Sequence, residues 1–329
     1  MDGFMHLYRA GILTREVFDD LTTMRRANAG LDVDEAGRGA VMDGGFYLGS
    51  RAFYEFLAGL DDDERARFRM HGVGRINQLY GGREALELEQ RRHARFVNTC
   101  MMMTLTGAAV SDGLADYQVV SGVGGQYNFV AMAHAMDDGR SVLMLRATRE
   151  SAGRTTSNIV WQYPHLTIPR HLRDLVVTEY GIADLRGRTD EECIQALLAI
   201  SDARFQDELA EQARRAGKLD RTWRIPEAWR ANTPEALAQR FRGVEGAVPT
   251  YPFGSDFSDD EQRLVPALTW IKARSGSKLG VLLEALRGGR GAHASELARL
   301  GLDRPGSLGE RIMARLVARA LDATVDELR

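Results

Sequence analysis

Hydrophobic spacing along this chain switches repeatedly between helical and strand periods. In the opening stretch MDGFMHLYRAGILTREVFDD, Phe4, Leu7, Tyr8 and Ile12 recur on one helical face, with only Asp2 and Gly3 before them as start signals. Arg38 to Leu48 reads as a strand interrupted by Asp43, Gly44 and Gly45, and Ser50 to Leu60 as a helix begun by a serine cap. Arg95 to Thr106 and Tyr117 to Val120 are apolar with β-branched members and predict a hairpin or strand pair. The next segment, SGVGGQYNF over residues 121–129, leads into Phe129, Val130, Ala133 and Met136 at helical spacing, which predicts a strand, a glycine-rich turn and a helix. Strands are further predicted at Ser141–Leu145, Ile159–Tyr163 and Leu175–Thr178, and helices over about Asp190–Ile200 and Asp202–Ala216.

Strands alternating with helices imply an α/β fold whose sheet is at least partly parallel, with apolar strands covered on both faces. Ligands of such sheets gather beyond strand ends. From Gly243 to Asp256 the pattern fades into GVEGAVPTYPFGSD, a linker, after which two or three short helices run to Arg329.

Composition narrows the classes. The formal charge of -3 comes from interspersed acids and bases and gives no reason to expect nucleic acid as the main partner. The longest uncharged stretch, Tyr117 to Met136, is too polar for a membrane helix, and Asp2, His6 and Arg9 interrupt any apolar signal segment, so a cytoplasmic protein is expected. Cys100 and Cys193 lack motif spacing and read as reduced packing residues.

Three places are candidates for chemistry. Glycines 122, 124 and 125 free backbone N–H groups to converge at a helix start, a nest suited to phosphate or a developing oxyanion; a plain tight turn is the alternative. The segment fails as a dinucleotide fingerprint because Tyr127 stands where the third glycine belongs, and the surroundings of Lys218 fail as a P-loop. In VVTEYGIADLRG, residues 176–187, Glu179 directly follows an apolar strand and would sit at its carboxyl end, either as a functional acid or as an ordinary surface one. Asn98, inside the apolar run Phe96 to Met103, either satisfies neighbouring backbone or holds a substrate carbonyl. The sequence contains neither a nucleophile elbow nor a paired-histidine metal motif; His165 and His171 read as structural or positioning residues, and Met101 to Met103 as core filler.

With those residues in view, MDGFMHLYRAGILT, SGVGGQYNF and IPRHLRDLVVTEYGIADLRGRTDEE, at their mutual spacing over about residues 1–232, resemble the C-terminal half of the acetyl-CoA hydrolase/transferase family, which includes succinyl-CoA:acetate and 4-hydroxybutyrate CoA-transferases. The resemblance implies a CoA-transferase-like domain of the NagB/RpiA type with helices flanking a partly parallel sheet, and a small helical C-terminal appendage. Expected boundaries are a helical lead-in over 1–35, the family domain over 36–240 and the helical extension over 255–329. The implied chemistry is attack of a glutamate on an acyl-CoA thioester, then a glutamyl-CoA thioester resolved by water or a small carboxylate.

On that resemblance Gly124 or Gly125 donates to the oxyanion or thioester, Asn98 orients the acyl group and Glu179 lines the site. Gly122, Val123, Gln126, Tyr127 and Phe129 border the CoA arm, with Arg149 and Tyr180 as further substrate contacts. Arg146, Arg149 and Arg154 form a basic loop that either meets CoA phosphates or is simply solvated. CoA enters as substrate; no permanent cofactor or metal is expected. The family's nucleophilic glutamate lies just before the Asp-Gly matched by Asp2 and Gly3, so it falls ahead of Met1, and the chain is expected to be a truncated gene product, a split subunit or a decayed homologue that needs an N-terminal half or partner chain. A homodimer is the expected assembly. The rival reading is a non-catalytic CoA-binding or assembly module.

Overall fold

The computed structural model describes residues 2–324 apart from 35, 36, 79, 152, 245–248, 250, 277 and 289–292. Part of the expected linker, residue 36 at the expected start of the family domain, and the last five residues of the chain therefore lie outside the described residues. Two compact units are present, one formed mainly by Gly3–Leu48 and Glu55–Pro249, the other by Gly49–Tyr54 and Thr250–Arg329.

Helix α1 (Asp2–Arg9) ends in a left-handed glycine, Gly11 at φ 68°, with Ile12 N–H donating back to Leu7 and Gly11 N–H to Tyr8. This stop leaves Ile12 beyond the helix and 65% exposed, and the buried side of α1 is carried by Met5 rather than by Phe4 and Leu7. Tyr8 instead packs edge-on to Phe68 and against Phe56. Helix α2 (Leu21–Asn28) is capped by the Asp20 carboxylate, which accepts from Thr23 N at 2.7 Å. Strand β1 (Met42–Gly44) runs parallel to β2 (Phe68–Met70), so Asp43 and Gly44 lie within the strand that they were expected to break. The Asp43 carboxylate is held there by Arg69 at 2.8 and 3.0 Å and by His71 at 2.8 Å. Helices α3 (Arg51–Ala58), α4 (Asp62–Arg65), α5 (Val73–Ile76) and α6 (Glu84–Gln90) follow, and Ser50 Oγ caps α3 by accepting from Phe53 N.

The central sheet is built from β3 (Arg95–Thr99), β6 (Arg140–Met144), β10 (Leu175–Thr178) and β11 (Gly181–Asp184), in the order β11-β10-β6-β3; β3, β6 and β10 are parallel and β11 returns antiparallel. A second sheet joins β4 (Met102–Thr104), β5 (Ala109–Val110) and β9 (Ile159–Val160), and β7 (Thr148–Ser151) pairs with β8 (Arg154–Ser157). The hairpin thus forms between β4 and β5, not with Tyr117–Val120, where Val119 makes only an isolated bridge to Gly113. Gly107, at φ 88° and packed against Arg173 and Leu185, allows that tighter reversal.

Helices α7 (Gln126–Ala135) and α8 (Asp190–Ala199) pack on one face of the central sheet, where Leu143, Val176 and Ala183 meet Val130, Ile194, Leu197 and Leu198, all 4% exposed or less. Burial of each such branched side chain contributes about 1.5–3 kcal/mol. Among the described residues the opposite face is less covered than expected: Val97, Met144 and Ile182 point there and are 55%, 37% and 69% exposed. Helix α9 (Ala203–Arg215), capped by Asp202, and α10 (Pro234–Arg240) complete this unit.

The second unit contains α11 (Asp259–Arg274), α12 (Lys278–Arg287), α13 (Ala294–Arg299) and α14 (Leu308–Thr324). There are thus more helices than expected, and two of them are long. Their stability comes from stripes at helical spacing, Leu264 and Ala267 on α11 facing Val317, Ala320 and Leu321 on α14. No helix among the described residues is long and apolar enough to cross a membrane.

Candidate active site

Because β3, β6 and β10 are parallel, their carboxyl ends open on one edge. There Thr99, Cys100, Leu145, Arg146, Thr178 and Glu179 line an open cleft of about 590 Å³. Glu179 is the first residue past β10; it is exposed, and its Oε2 accepts from Ala147 N–H at 2.8 Å. That bond fixes one carboxylate oxygen without burying the group. Among the described residues, no carboxylate lies within ion-pair distance of Arg146, so its guanidinium is available to an incoming anion. Cys100 is a poor nucleophile here, since burial pushes its thiol up to about 12.

The glycine turn lies beside this edge. Helix α7 starts at Gln126 with Gly125 at its cap position and no side-chain cap, and Gly124 occupies the left-handed region at φ 60°. Among the described residues, the amides of Gly122, Val123, Gly124 and Gly125 donate no hydrogen bond. A Cβ on Gly122 or Gly124 would meet nothing within 4 Å, whereas one on Gly125 would come within 3.0 Å of Phe129 and 3.2 Å of the Asn77 amide. Gln126 is 7% exposed and its Nε2 donates to the Thr99 carbonyl at 2.7 Å, which ties the turn to the cleft. Phe129 stacks on Phe96 at 6.0 Å and holds the helix against β3. Unpaired N–H groups at the positive end of a ten-residue helix form an environment suited to an anionic oxygen.

Residues 49–213, half of the chain, match the family described as the acetyl-CoA hydrolase/transferase C-terminal domain. The chain belongs to that family. It is similar to a probable butyrate:acetyl-CoA coenzyme A-transferase of Syntrophomonas wolfei, 34% identical over 122 residues, and to a succinyl-CoA:cyclohexane-1-carboxylate CoA transferase of Geobacter metallireducens, 29% identical over 177 residues. Those alignments cover 36% and 53% of this chain but only 27% and 37% of the two relatives. Among solved structures, a point mutant of RipA aligns at 25% identity with a TM-score of 0.50, covering 66% of this chain and 42% of that one.

Within this CoA-transferase family domain, the residues singled out from sequence divide into two groups. Glu179 lies in the cleft, and Gln126 joins the turn of Gly122, Gly124 and Gly125 to the cleft's Thr99 edge. Asn98 is on the adjoining strand, partly buried, with its Nδ2 unpartnered; the expectation that a buried amide must be hydrogen-bonded does not hold for that atom. Val123 and Tyr127 are 45% and 47% exposed.

Arg149 and Tyr180 are engaged elsewhere. Arg149 lies on β7, not in a loop, donates to Asn158 Oδ1 at 2.7 Å and lines a separate depression of about 440 Å³ with Arg154 and Phe205. The Tyr180 hydroxyl donates to Asp202 at 2.9 Å; burial first, and then that bond to a carboxylate, raises its pKa. Of the three arginines expected in a basic loop, Arg154 is also on a strand, β8, and Arg146 is the one at the cleft. Sequence reasoning missed Thr99 and Asn77. Thr99 is legible only as the last residue of a strand, and nothing in the sequence around Asn77 points to Gly125.

Proposed function

We propose that this chain supplies the glycine-turn side of an acyl-CoA hydrolase or CoA-transferase site working through a glutamyl-CoA thioester. The observation that carries the reading is the run of unbonded amides at 122–125, tied through Gln126 to the same strand edge that carries Glu179. In this reading Gly124 or Gly125 donates to the oxygen that becomes negative on attack, lowering the barrier without reorganisation. Asn98 Nδ2, buried and unpartnered, orients the acyl carbonyl. Glu179 lines the pocket, and Arg146 rather than Arg149 attracts the carboxylate or phosphate groups of the substrates.

The attacking glutamate and the other wall of the cleft would come from a segment or partner outside these 329 residues, in a cytoplasmic homodimer. Water would complete hydrolysis; a small carboxylate would complete transfer. The competing reading, a CoA-binding module without turnover, draws support from the Ala147 amide that already occupies one Glu179 oxygen.

Borohydride trapping separates the two. The chain is combined with the amino-terminal half of a family relative, incubated with acetyl-CoA and reduced. A glutamyl thioester reduced to an alcohol on the added half supports turnover, whereas CoA binding without any reduced peptide supports the module. Glu179→Gln keeps an acceptor for Ala147 N–H and is expected to fold normally while abolishing turnover; unaltered kinetics would demote Glu179 to a structural acid.

A further inference from the structure

The other end of the central sheet carries a second concave site with different chemistry. Where the end of β11 adjoins the start of β10, the end of α7 and the short helical turn Arg170–Leu172 surround a depression of about 550 Å³. It is lined by His134, Arg170, His171, Arg173, Arg186 and Arg188, together with Gly187, and shares no residue with the Glu179 cleft.

Cations there outnumber their carboxylates. Among the described residues Asp190 alone answers Arg170 at 2.8 Å, Arg173 at 3.0 Å and Lys218 at 3.0 Å. Asp174 is divided between Arg140 and Arg186, and Asp184 also serves Arg140. Glu192 comes no nearer to Arg188 than 3.7 Å. Arg186 Nε is buried without a partner, and His134, donating from Nε2 to the Leu172 carbonyl at 2.9 Å, keeps Nδ1 for another contact. The surplus of positive charge registers on two groups of opposite kind. Lys218 and Arg173 hold Asp190 down at about 2, while burial, then Arg186, pull His134 below the usual imidazole value, with His171 adding to the effect.

We propose that this cleft binds a small polyanion of the phosphate or pyrophosphate class, at a site separate from the acyl-CoA chemistry. Two features favour a phosphoryl group over an acyl carboxylate. The described lining contains no aliphatic or benzenoid side chain and is mainly polar, so it offers a hydrocarbon tail little beyond arginine stems. A monoanion would leave part of the surplus unanswered, whereas a multiply charged phosphoryl group accepts from several guanidinium forks at once.

Calorimetric titration of the full chain with inorganic pyrophosphate, ADP and succinate tests this. Pyrophosphate should bind in the submillimolar range, more weakly as salt rises. Arg188→Gln, which removes a half-exposed arginine whose paired carboxylate, Glu192, stands 3.7 Å away and should leave the fold intact, is expected to weaken binding about tenfold, the cost of one charge-assisted hydrogen bond. Arg170→Gln should act similarly.

Bound pyrophosphate should also raise the His134 titration midpoint in proton NMR. The charged and titratable groups facing that ring are Arg186, Asp174 and His171, and an added anion offsets the Arg186 guanidinium. Binding of ADP comparable to that of pyrophosphate would identify the phosphate end as the part that is read; much tighter ADP would point to a nucleotide as the source. The proposal is overturned by an absence of heat at millimolar pyrophosphate, by binding unchanged in the Arg170→Gln, Arg188→Gln double variant, or by succinate binding as well as pyrophosphate does. None of these outcomes depends on the acyl-transfer reading.

Discussion

Alanine substitutions at the three glycines of the turn should have sharply different costs, and the structure ranks them. At Gly122 an added Cβ meets nothing within 4 Å and the backbone is not in the left-handed region. Gly122→Ala is therefore expected to be neutral, or stabilising by about 0.5 kcal/mol through the less flexible unfolded chain. Gly124 also has open space, but its φ of 60° costs an L residue about 1–2 kcal/mol. At Gly125 the obstacle is packing. The new Cβ would lie 3.0 Å from Phe129 Cε2, and that ring cannot easily retreat because it is stacked on Phe96; Asn77 stands 3.2 Å away on another side. Overpacking of this kind costs about 1–3 kcal/mol.

Urea unfolding followed by tryptophan fluorescence measures the series. A Trp270→Phe background leaves Trp161, Trp223 and Trp229 as reporters, all in the unit that holds the turn. The expected order of stability is Gly122→Ala, then Gly124→Ala, then Gly125→Ala. Gly125→Ala matching Gly122→Ala would refute the packing argument, and an undiminished Gly124→Ala would refute the assigned backbone conformation. Alanine preserves every N–H, so in a reconstituted enzyme Gly122→Ala should also retain turnover.

Other outcomes follow from buried charge and titration. Asp174, with its side chain 1% exposed, accepts from Arg140 at 2.8 Å, Ser141 N at 2.7 Å and Arg186 at 2.6 Å, so Asp174→Ala should cost about 3–5 kcal/mol in urea unfolding by stranding those donors. The Asp190 carboxyl is held at about 2 by its hydrogen bonds to Lys218 and Arg173, against an ordinary 3.8. Its contribution, about 1–2 kcal/mol after solvent screening, should be complete above pH 4 and fade toward pH 2, and Asp190→Asn should flatten that acid limb. Burial raises both cysteine thiols, Cys100 to about 12, so native protein at pH 8 should react slowly with a disulfide reagent and release two equivalents once unfolded.

The elements that sequence spacing anticipates well are those specified by neighbours in the chain. Helix α8 carries a complete capping box, with Thr189 and Glu192 satisfying each other's backbone N–H groups, and α9 starts at Asp202, whose carboxylate accepts from Arg204 N. Strand β10 is a short apolar run closed by the turn to Gly181, and it too needs no distant partner to be recognised. The errors arise where tertiary packing decides. Tyr117–Val120 has strand composition, yet β4 finds a nearer partner through the Gly107 reversal, and Tyr117 itself takes a left-handed φ of 65°. At the candidate site the glycine cluster and Glu179 stand out in sequence, but the turn is tied to the cleft through Gln126 to Thr99, 27 residues apart, and Gly125 is crowded by Asn77, so neither is a local pattern.

Two unpaired atoms near the carboxyl end of β3 bear on the proposed reaction. Asn98 Nδ2 is a donor and Gln126 Oε1 an acceptor, and both are buried without partners among the described residues. Each leaves a desolvation penalty of about 1–3 kcal/mol uncompensated. A hydroxyl or amide that meets both would relieve the penalty in the ground state and so favour simple binding. A group that meets the donor only once it has become an oxyanion would relieve it in the transition state and so favour turnover. Asn98→Leu discriminates between these in the reconstituted enzyme. It removes the donor at similar volume, so a rise in KM with kcat unchanged would assign Asn98 to uniform substrate binding. Equal falls in kcat and kcat/KM would assign it to the developing charge.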